Sequence, residues 1–401
     1  MTNDTIIKKY IEQQFPIYQK NALLIHAHPE TSNHEYYAQG ILADQLEKEG
    51  FQVKKDVAGH PTGFDARYQG KKPGPVLAFL AEYDALEGVG HGCGHNLLGN
   101  YSCLAAAALK QVVDQVGGEI RVYGTPGEEG GENGSAKESF VKKGYFEDVD
   151  AALCVHPSAT TGKSSRLLAN DPVDIEFFGK SSHATAAPED GISALSPLIE
   201  TFNGINALRL HCHDNISIHG VILDGGKAAN VIPDYARGRF YVRADNRKNL
   251  DEVREKVKRV AEGAAHSFGA ELKFGLFQNK VDDMVLTSSF DDLFFSHCEE
   301  VGIRGNEVEE PDEKAHGSSD VGNVSYAVPT IQPFLSISDK EVPGHSEAFV
   351  EAAKSEKGLD SIRIAATLLA LTGLDLLTQP ETLQAIKEEH RQAVEELQEL
   401  K

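Results

Sequence analysis

Two rhythms of apolar and polar positions follow one another along the chain. In the first part helical and strand patterns alternate: an amphipathic helix ends near Gly50, and a strand runs through Val76-Leu77-Ala78-Phe79-Leu80. An alanine-rich helix over 97–115 comes next, then strands at Ile120-Arg121-Val122-Tyr123 and Ala151-Ala152-Leu153-Cys154-Val155. Strands alternating with helices predict an α/β sheet covered on both faces. After about Asp171 the order becomes strand, helix, strand, strand, helix, strand, from Val173-Asp174-Ile175-Glu176-Phe177-Phe178 to Glu271-Leu272-Lys273-Phe274. With helices at roughly 192–210 and 249–267, this predicts a small α+β sandwich with one open face. Beyond Leu286 helical signals return, a buried strand is expected at Val328-Pro329-Thr330-Ile331, and two helices close the chain. The last helix puts Leu383, Ile386, Val394 and Leu397 on one stripe, which is expected to pack on the chain's own core rather than on a partner helix. The pattern divides the chain into a domain made of 1–171 and 285–401, with 172–284 inserted into it.

Length agrees with two domains, because 401 residues exceed the size at which single cores stop growing. Charge excludes some partners: 39 basic against 61 acidic residues leave a net −22, which repels a phosphate backbone and an anionic membrane alike. Neither nucleic acid nor membrane is expected as a partner. The charged start, Met1-Thr2-Asn3-Asp4-Thr5-Ile6-Ile7-Lys8-Lys9-Tyr10, does not read as a signal peptide, and no stretch is expected to reach the length of a membrane span. Five scattered cysteines fit a reducing compartment better than a disulfide framework, so a cytoplasmic location is expected.

Candidate chemistry sits where the predicted strands end. His91-Gly92-Cys93-Gly94-His95-Asn96 offers sulfur and imidazole within a few residues, and its glycines let the backbone bend side chains toward one cation. Glu128-Glu129 follows the Ile120 strand, Asp84 follows the Val76 strand, and His156 closes the Ala151 strand. Ligand sites of open α/β sheets lie at the carboxyl ends of strands, so these residues are expected to converge. Of two adjacent carboxylates at a strand exit, one can bind metal while the other takes a proton from water, as amide hydrolysis requires. Taken singly, each has a plainer reading: a glycine-rich turn, a solvated acidic loop, a satisfied core histidine. His345 alone would pass for a surface loop residue.

Together these residues resemble the M20 family of zinc exopeptidases and amidohydrolases. The resemblance runs through Leu80-Ala81-Glu82-Tyr83-Asp84-Ala85-Leu86, His91 to Asn96, Glu128-Glu129, Gly179-Lys180-Ser181-Ser182-His183-Ala184, Gly225-Gly226-Lys227-Ala228-Ala229-Asn230-Val231-Ile232-Pro233-Asp234 and Gly344-His345. It is nearest to the amidohydrolase branch with Cys-Gly-His in its metal site. It implies a zinc-exopeptidase-like catalytic domain with an inserted α+β dimerisation, or lid, domain. It also implies two divalent metals, zinc first and manganese or cobalt as alternatives, held by Cys93, His95, Glu129, His156 and His345. Glu128 would be the general base, and Asp84 would orient a ligand imidazole. His183 would reach a partner subunit's site as an oxyanion donor, while Asn230 and Arg243 would hold the substrate carboxylate. The implied activity is hydrolysis of N-acyl amino acids, aminobenzoyl-glutamate-like compounds or short dipeptides by a homodimer or homotetramer.

Several residues remain open at this stage. Where many members have a ligand histidine two residues before Asp84, this chain has Glu82, and His95 is expected to replace that ligand. Asn96 stands where related amidohydrolases have aspartate. Asp320 and Asn323 are candidates for contact with the metal shell or substrate, Arg237 and Arg239 are weaker substrate candidates, and His211-Cys212-His213 is expected to be structural. Two other classes compete: a thiol hydrolase with Cys93 as nucleophile, and a noncatalytic scaffold on an old hydrolase fold. A dipeptidase or carboxypeptidase of the same family is the nearer alternative.

Overall fold

Strand Val76–Ala81 is buried along almost its whole length, and its side chains divide between two cores: Leu77, Phe79 and Ala81 on one side, Ala78 and Leu80 on the other. Alternation with apolar residues on both faces requires helices above and below. The computed structural model describes residues 1–131, 133–213, 215–315 and 317–399. It has Val76–Ala81 in a six-stranded mixed sheet, parallel to both Glu119–Gly124 and Ala151–Leu153, with Thr330–Ile331 parallel beyond them. Helices Asn3–Ala27, His95–Val116 and Glu356–Thr378 pack together on one face. Residues from Ala136–Lys142 and Val321–Ala327 cover the other. Ala105 to Ala108 are fully buried, and these small side chains allow close packing while keeping high helix propensity.

The second unit has the predicted order of elements. Strands Ala169–Phe178, Ser217–Asp224, Tyr235–Ala244 and Glu271–Leu276 form a four-stranded sheet with Ser217–Asp224 and Glu271–Leu276 at its edges. Helices Leu195–Leu208 and Arg247–Phe268 pack on one face and share a separate core with it. Tyr235–Ala244 shows why the other face stays open: its even-numbered residues are buried, while Tyr235, Arg237, Arg239, Tyr241 and Arg243 are half-buried on the opposite side.

Four expectations need correction. The helix expected to end near Gly50 is Tyr36–Lys48, but the sequence reading lacks the helix before it, Asn3–Ala27, and the hairpin Gln52–Val57 and His60–Gln69 that extends the main sheet. The Ala151 strand stops at Leu153. His156–Ser158 is a separate strand paired with Phe334–Ser336 in another sheet, because Pro333 has no N–H to continue the first ladder. The alanine-rich helix starts at His95, which places that residue in its first turn. Glu356–Thr378 is, against expectation, long and apolar enough to cross a membrane, but 78% of its apolar window is buried in the protein's own core. The closing helix buries Leu383 and Ile386, while Val394 and Leu397 are only half-buried.

Candidate metal centre

The carboxyl ends of three neighbouring parallel strands deliver Asp84, the Glu128-Glu129 pair and His156 to one place. Local backbone then sets each side chain. Gly94, at φ 78°, caps the His95 helix, and a Cβ there would come 2.9 Å from Pro157 Cβ. Gly127, at φ 73°, turns the chain into Glu128, and a Cβ there would meet Asn33 Nδ2 at 2.7 Å. Glu35 fixes that turn from below: its buried Oε1 accepts from Gly127 N at 2.9 Å and Asn33 N at 2.8 Å, and its Oε2 accepts from Thr62 Oγ1 at 2.7 Å. His345 adopts φ 58°, and its N–H donates to Gly92 O at 2.9 Å, tying the distant C-terminal loop to the Cys93 turn.

Three overlapping groups of potential ligand atoms result, each within 4.8 Å: Cys93, His95 and His156; Cys93, Glu129 and His345; Glu82, His95 and Glu128. All five expected ligands are therefore gathered, with Cys93 common to the first two groups. Cys93 Sγ is 3.6 Å from His156 Nε2, and His345 Nε2 is 3.6 Å from Glu129 Oε1. His95 Nδ1 lies 2.8 Å from Asp84 Oδ1, so a carboxylate acceptor fixes the proton on Nδ1 and leaves Nε2 toward the cluster. Asp84 Oδ2 also accepts from Ser32 Oγ at 2.9 Å and Glu129 N at 3.0 Å.

The donor set fits divalent cations. Among the described residues, His95 Nε2 and Glu129 Oε1 are buried without a hydrogen-bond partner, and soft sulfur, imidazole and carboxylate together are ligands that zinc accepts. Electrostatics point the same way. Burial, then Glu82 and Glu129, push Glu128 well above the usual carboxylate range, so the pocket calls for positive charge. Burial, then the neighbouring His95, lower His156 to about 4 and keep its imidazole neutral, as a ligand must be. Burial also pushes the Cys93 thiol up in the absence of a cation. The raised thiol opposes the thiolate that a cysteine nucleophile needs, while, against the lowering effect of its burial, Cys93 and Asp84 hold the neighbouring His95 up.

Lys137 is the residue that sequence reasoning missed, and Glu82, noted there as a departure from the family pattern, joins the cluster. Glu82 Oε2 is 3.3 Å from His95 Nε2, while Lys137 Nζ lies 2.8 Å from Glu82 Oε1. Lys137 is fully buried and donates to Asp320 from both its ammonium and its backbone N–H, which ties Asp320 to the cluster through this lysine. A lysine beside the apolar positions of the Ala136 helix was the available signal, but lysines are usually exposed. Asn323 bonds Glu138 at 2.8 Å and Asp282 at 3.0 Å, and Asn96 bonds Ala353 O at 3.2 Å, so both serve packing.

A cleft of 280 Å³ opens onto the cluster and is lined by Cys93, Glu128, Glu129, His156 and His345, together with Arg166, Lys314 and Gln332. His183, Asn230 and Arg243 do not line it. His183 is exposed on the second unit beside Asn230, whose carbonyl accepts from Ala184 N at 3.0 Å. Arg243 is at the other end of its strand, eight residues beyond Tyr235 or roughly 26 Å at ~3.3 Å per residue, so it does not share a site with Asn230 in one subunit. Arg237 and Arg239 are engaged by Asp174. Among the described residues, His211, Cys212 and His213 form no ligand group.

Residues 172–268 match the peptidase dimerisation domain of the M20 family. A p-aminobenzoyl-glutamate hydrolase chain of Escherichia coli is 31% identical over 441 residues, covering 92% of this chain and 90% of the relative. The chain belongs to the M20 peptidase family. A second relative of this M20 hydrolase, the human Xaa-Arg dipeptidase, is 29% identical over 390 residues, covering 93% of this chain and 88% of its own. The crystal structure of the Bacillus subtilis YXEP protein, a dinuclear metal-binding peptidase of the M20 family, shares the fold at 20% identity with a TM-score of 0.59, covering 91% of this chain and 99% of that one. The protein is thus an enzyme, a metal-dependent amidohydrolase of the M20 type with a dimerisation domain.

Proposed function

We propose that the enzyme cleaves the amide bond of N-acyl amino acids, aminobenzoyl-glutamate-like compounds or short dipeptides, using two divalent cations held by Cys93, His95, Glu129, His156 and His345. The observation that carries this reading is one sulfur–imidazole–carboxylate cluster, with His95 buried in it and Glu128 beside it, lining a cleft. Zinc is the cation that the mixed donor set favours, with manganese and cobalt as alternatives. Bound cations supply polarisation of the amide carbonyl and acidification of water. Glu128 takes the proton from the attacking water and delivers it to the leaving nitrogen, from its place beside the ligand cluster. Asp84 holds the His95 ring and the Glu129 backbone in place.

Residues 172–284 act in this reading as the inserted lid, carried between 1–171 and 285–401. His183 Nδ1 accepts from Thr185 N at 3.2 Å and Ala186 N at 3.1 Å, which leaves the proton on Nε2 as a donor. Its exposure, away from the cleft of its own subunit, supports a role in a partner's site, completing the oxyanion pocket there with Asn230 nearby. A homodimer is the minimum assembly, and a tetramer the larger alternative. Edge strand Ser217–Asp224 supports assembly, since Val221, Ile222 and Leu223 are 56%, 47% and 49% exposed. The five free cysteines fit a cytoplasmic enzyme.

The test is amine release from N-acyl amino acids and dipeptides before chelation, after it, and after restoring zinc, manganese or cobalt. Activity that vanishes and returns with metal is expected. Hydrolysis that survives complete metal removal refutes the mechanism.

A further inference from the structure

Beyond the metal cluster, the cleft wall is rich in hydrogen-bond donors. Arg166 is exposed on the loop before strand Ala169–Phe178 and, among the described residues, makes no ion pair; Lys314 faces the same cleft. Gln332 is 4% exposed, and among the described residues neither its Nε2 nor the buried Ser318 Oγ has a partner in hydrogen-bonding geometry. The opposing charge in this part of the cleft is Asp312. Two cations and an unpartnered amide N–H₂ favour a ligand rich in acceptors, and a carboxylate supplies about four lone-pair sites and no donor when ionised. A basic leaving group would meet the same two cations as like charges.

On the amidohydrolase reading above, we infer that the enzyme selects amides whose leaving amino acid bears a side-chain carboxylate, and that Arg166 is the residue that reads it. Leu167 and Phe334 line the same cleft and give the uncharged acyl part an apolar wall. The preferred substrates are then glutamate- or aspartate-type conjugates rather than dipeptides ending in arginine.

The metal-loaded enzyme, Arg166→Ala and Arg166→Glu are compared by kcat/KM on the 4-aminobenzoyl conjugates of glutamate, glutamine and arginine, with melting temperatures as a check on folding. The parent enzyme is expected to favour the glutamate over the glutamine conjugate by about 10- to 100-fold, the range for one charge-assisted contact. Arg166→Ala should erase that preference, and Arg166→Glu should turn it toward arginine. A parent preference for arginine, equal losses on glutamate and glutamine in Arg166→Ala, or unchanged ratios in both variants overturns the inference while leaving the amidohydrolase reading intact. No turnover of any conjugate by enzyme loaded with zinc, manganese or cobalt, together with none in the N-acyl and dipeptide panel, sinks that reading and this inference with it.

Discussion

Replacing Asp84 with asparagine keeps the shape of a buried side chain but removes half of its accepting capacity. Its three partners, the His95 ring N–H at 2.8 Å, Ser32 Oγ at 2.9 Å and Glu129 N at 3.0 Å, all donate. An asparagine has one oxygen and one N–H₂ group, so whichever way it turns a donor faces a donor. With Asp84 1% exposed, no water relieves the conflict. One unsatisfied buried donor costs about 1–3 kcal/mol. If that cost falls on the metal-bound state, affinity drops roughly 10- to 100-fold, the range for partners that orient ligand histidines. The measurement is competition for zinc with a chromogenic chelator, paired with kcat at saturating metal. A variant that folds normally, binds zinc within about twofold of the parent and retains its kcat would refute the argument that Asp84 sets the ligand geometry.

The dimer proposal is checked by mixing two inactive variants: His183→Ala and Glu128→Gln should each lose activity by about 100-fold or more, and co-expression should restore up to a quarter of it, because some mixed dimers regain one intact site. Failure of mixed dimers to recover places His183 outside the partner's chemistry. Glu35 gives a stability prediction with a definite sign. Burial, then the nearby Asp84, raise its pKa from 4.5 to about 7, so the folded state holds a proton there that the unfolded chain has released. Its contribution is full below pH 4.5 and is lost as pH rises through about 7, amounting to roughly 3 kcal/mol at most. Glu35→Gln should flatten the dependence of unfolding free energy on pH across that window; an unchanged slope in denaturant titrations at pH 5 and pH 8 would count against it.

The chain's own residues made the layered architecture legible. Val76 to Ala81 are apolar on both faces, which requires a covered sheet, and the later change to a strand–helix–strand–strand–helix–strand order has one low-energy solution, helices on one side of an antiparallel sheet. Much of the candidate site was legible as well, because Cys93, His95, Glu128, Glu129 and His156 lie at strand ends or helix starts, where local sequence fixes position. Tertiary structure alone decided the rest. His345 reaches Glu129 only because a loop far along the chain hydrogen-bonds to Gly92, and no local rule encodes that contact. Glu82 and Lys137 look like ordinary surface charges until folding buries them, and their pairing replaces hydration that the core cannot supply. The separation of Asn230 from Arg243 is likewise a matter of strand length and register: Asn230 lies just before the short strand Val231–Ile232, and Arg243 lies near the far end of Tyr235–Ala244.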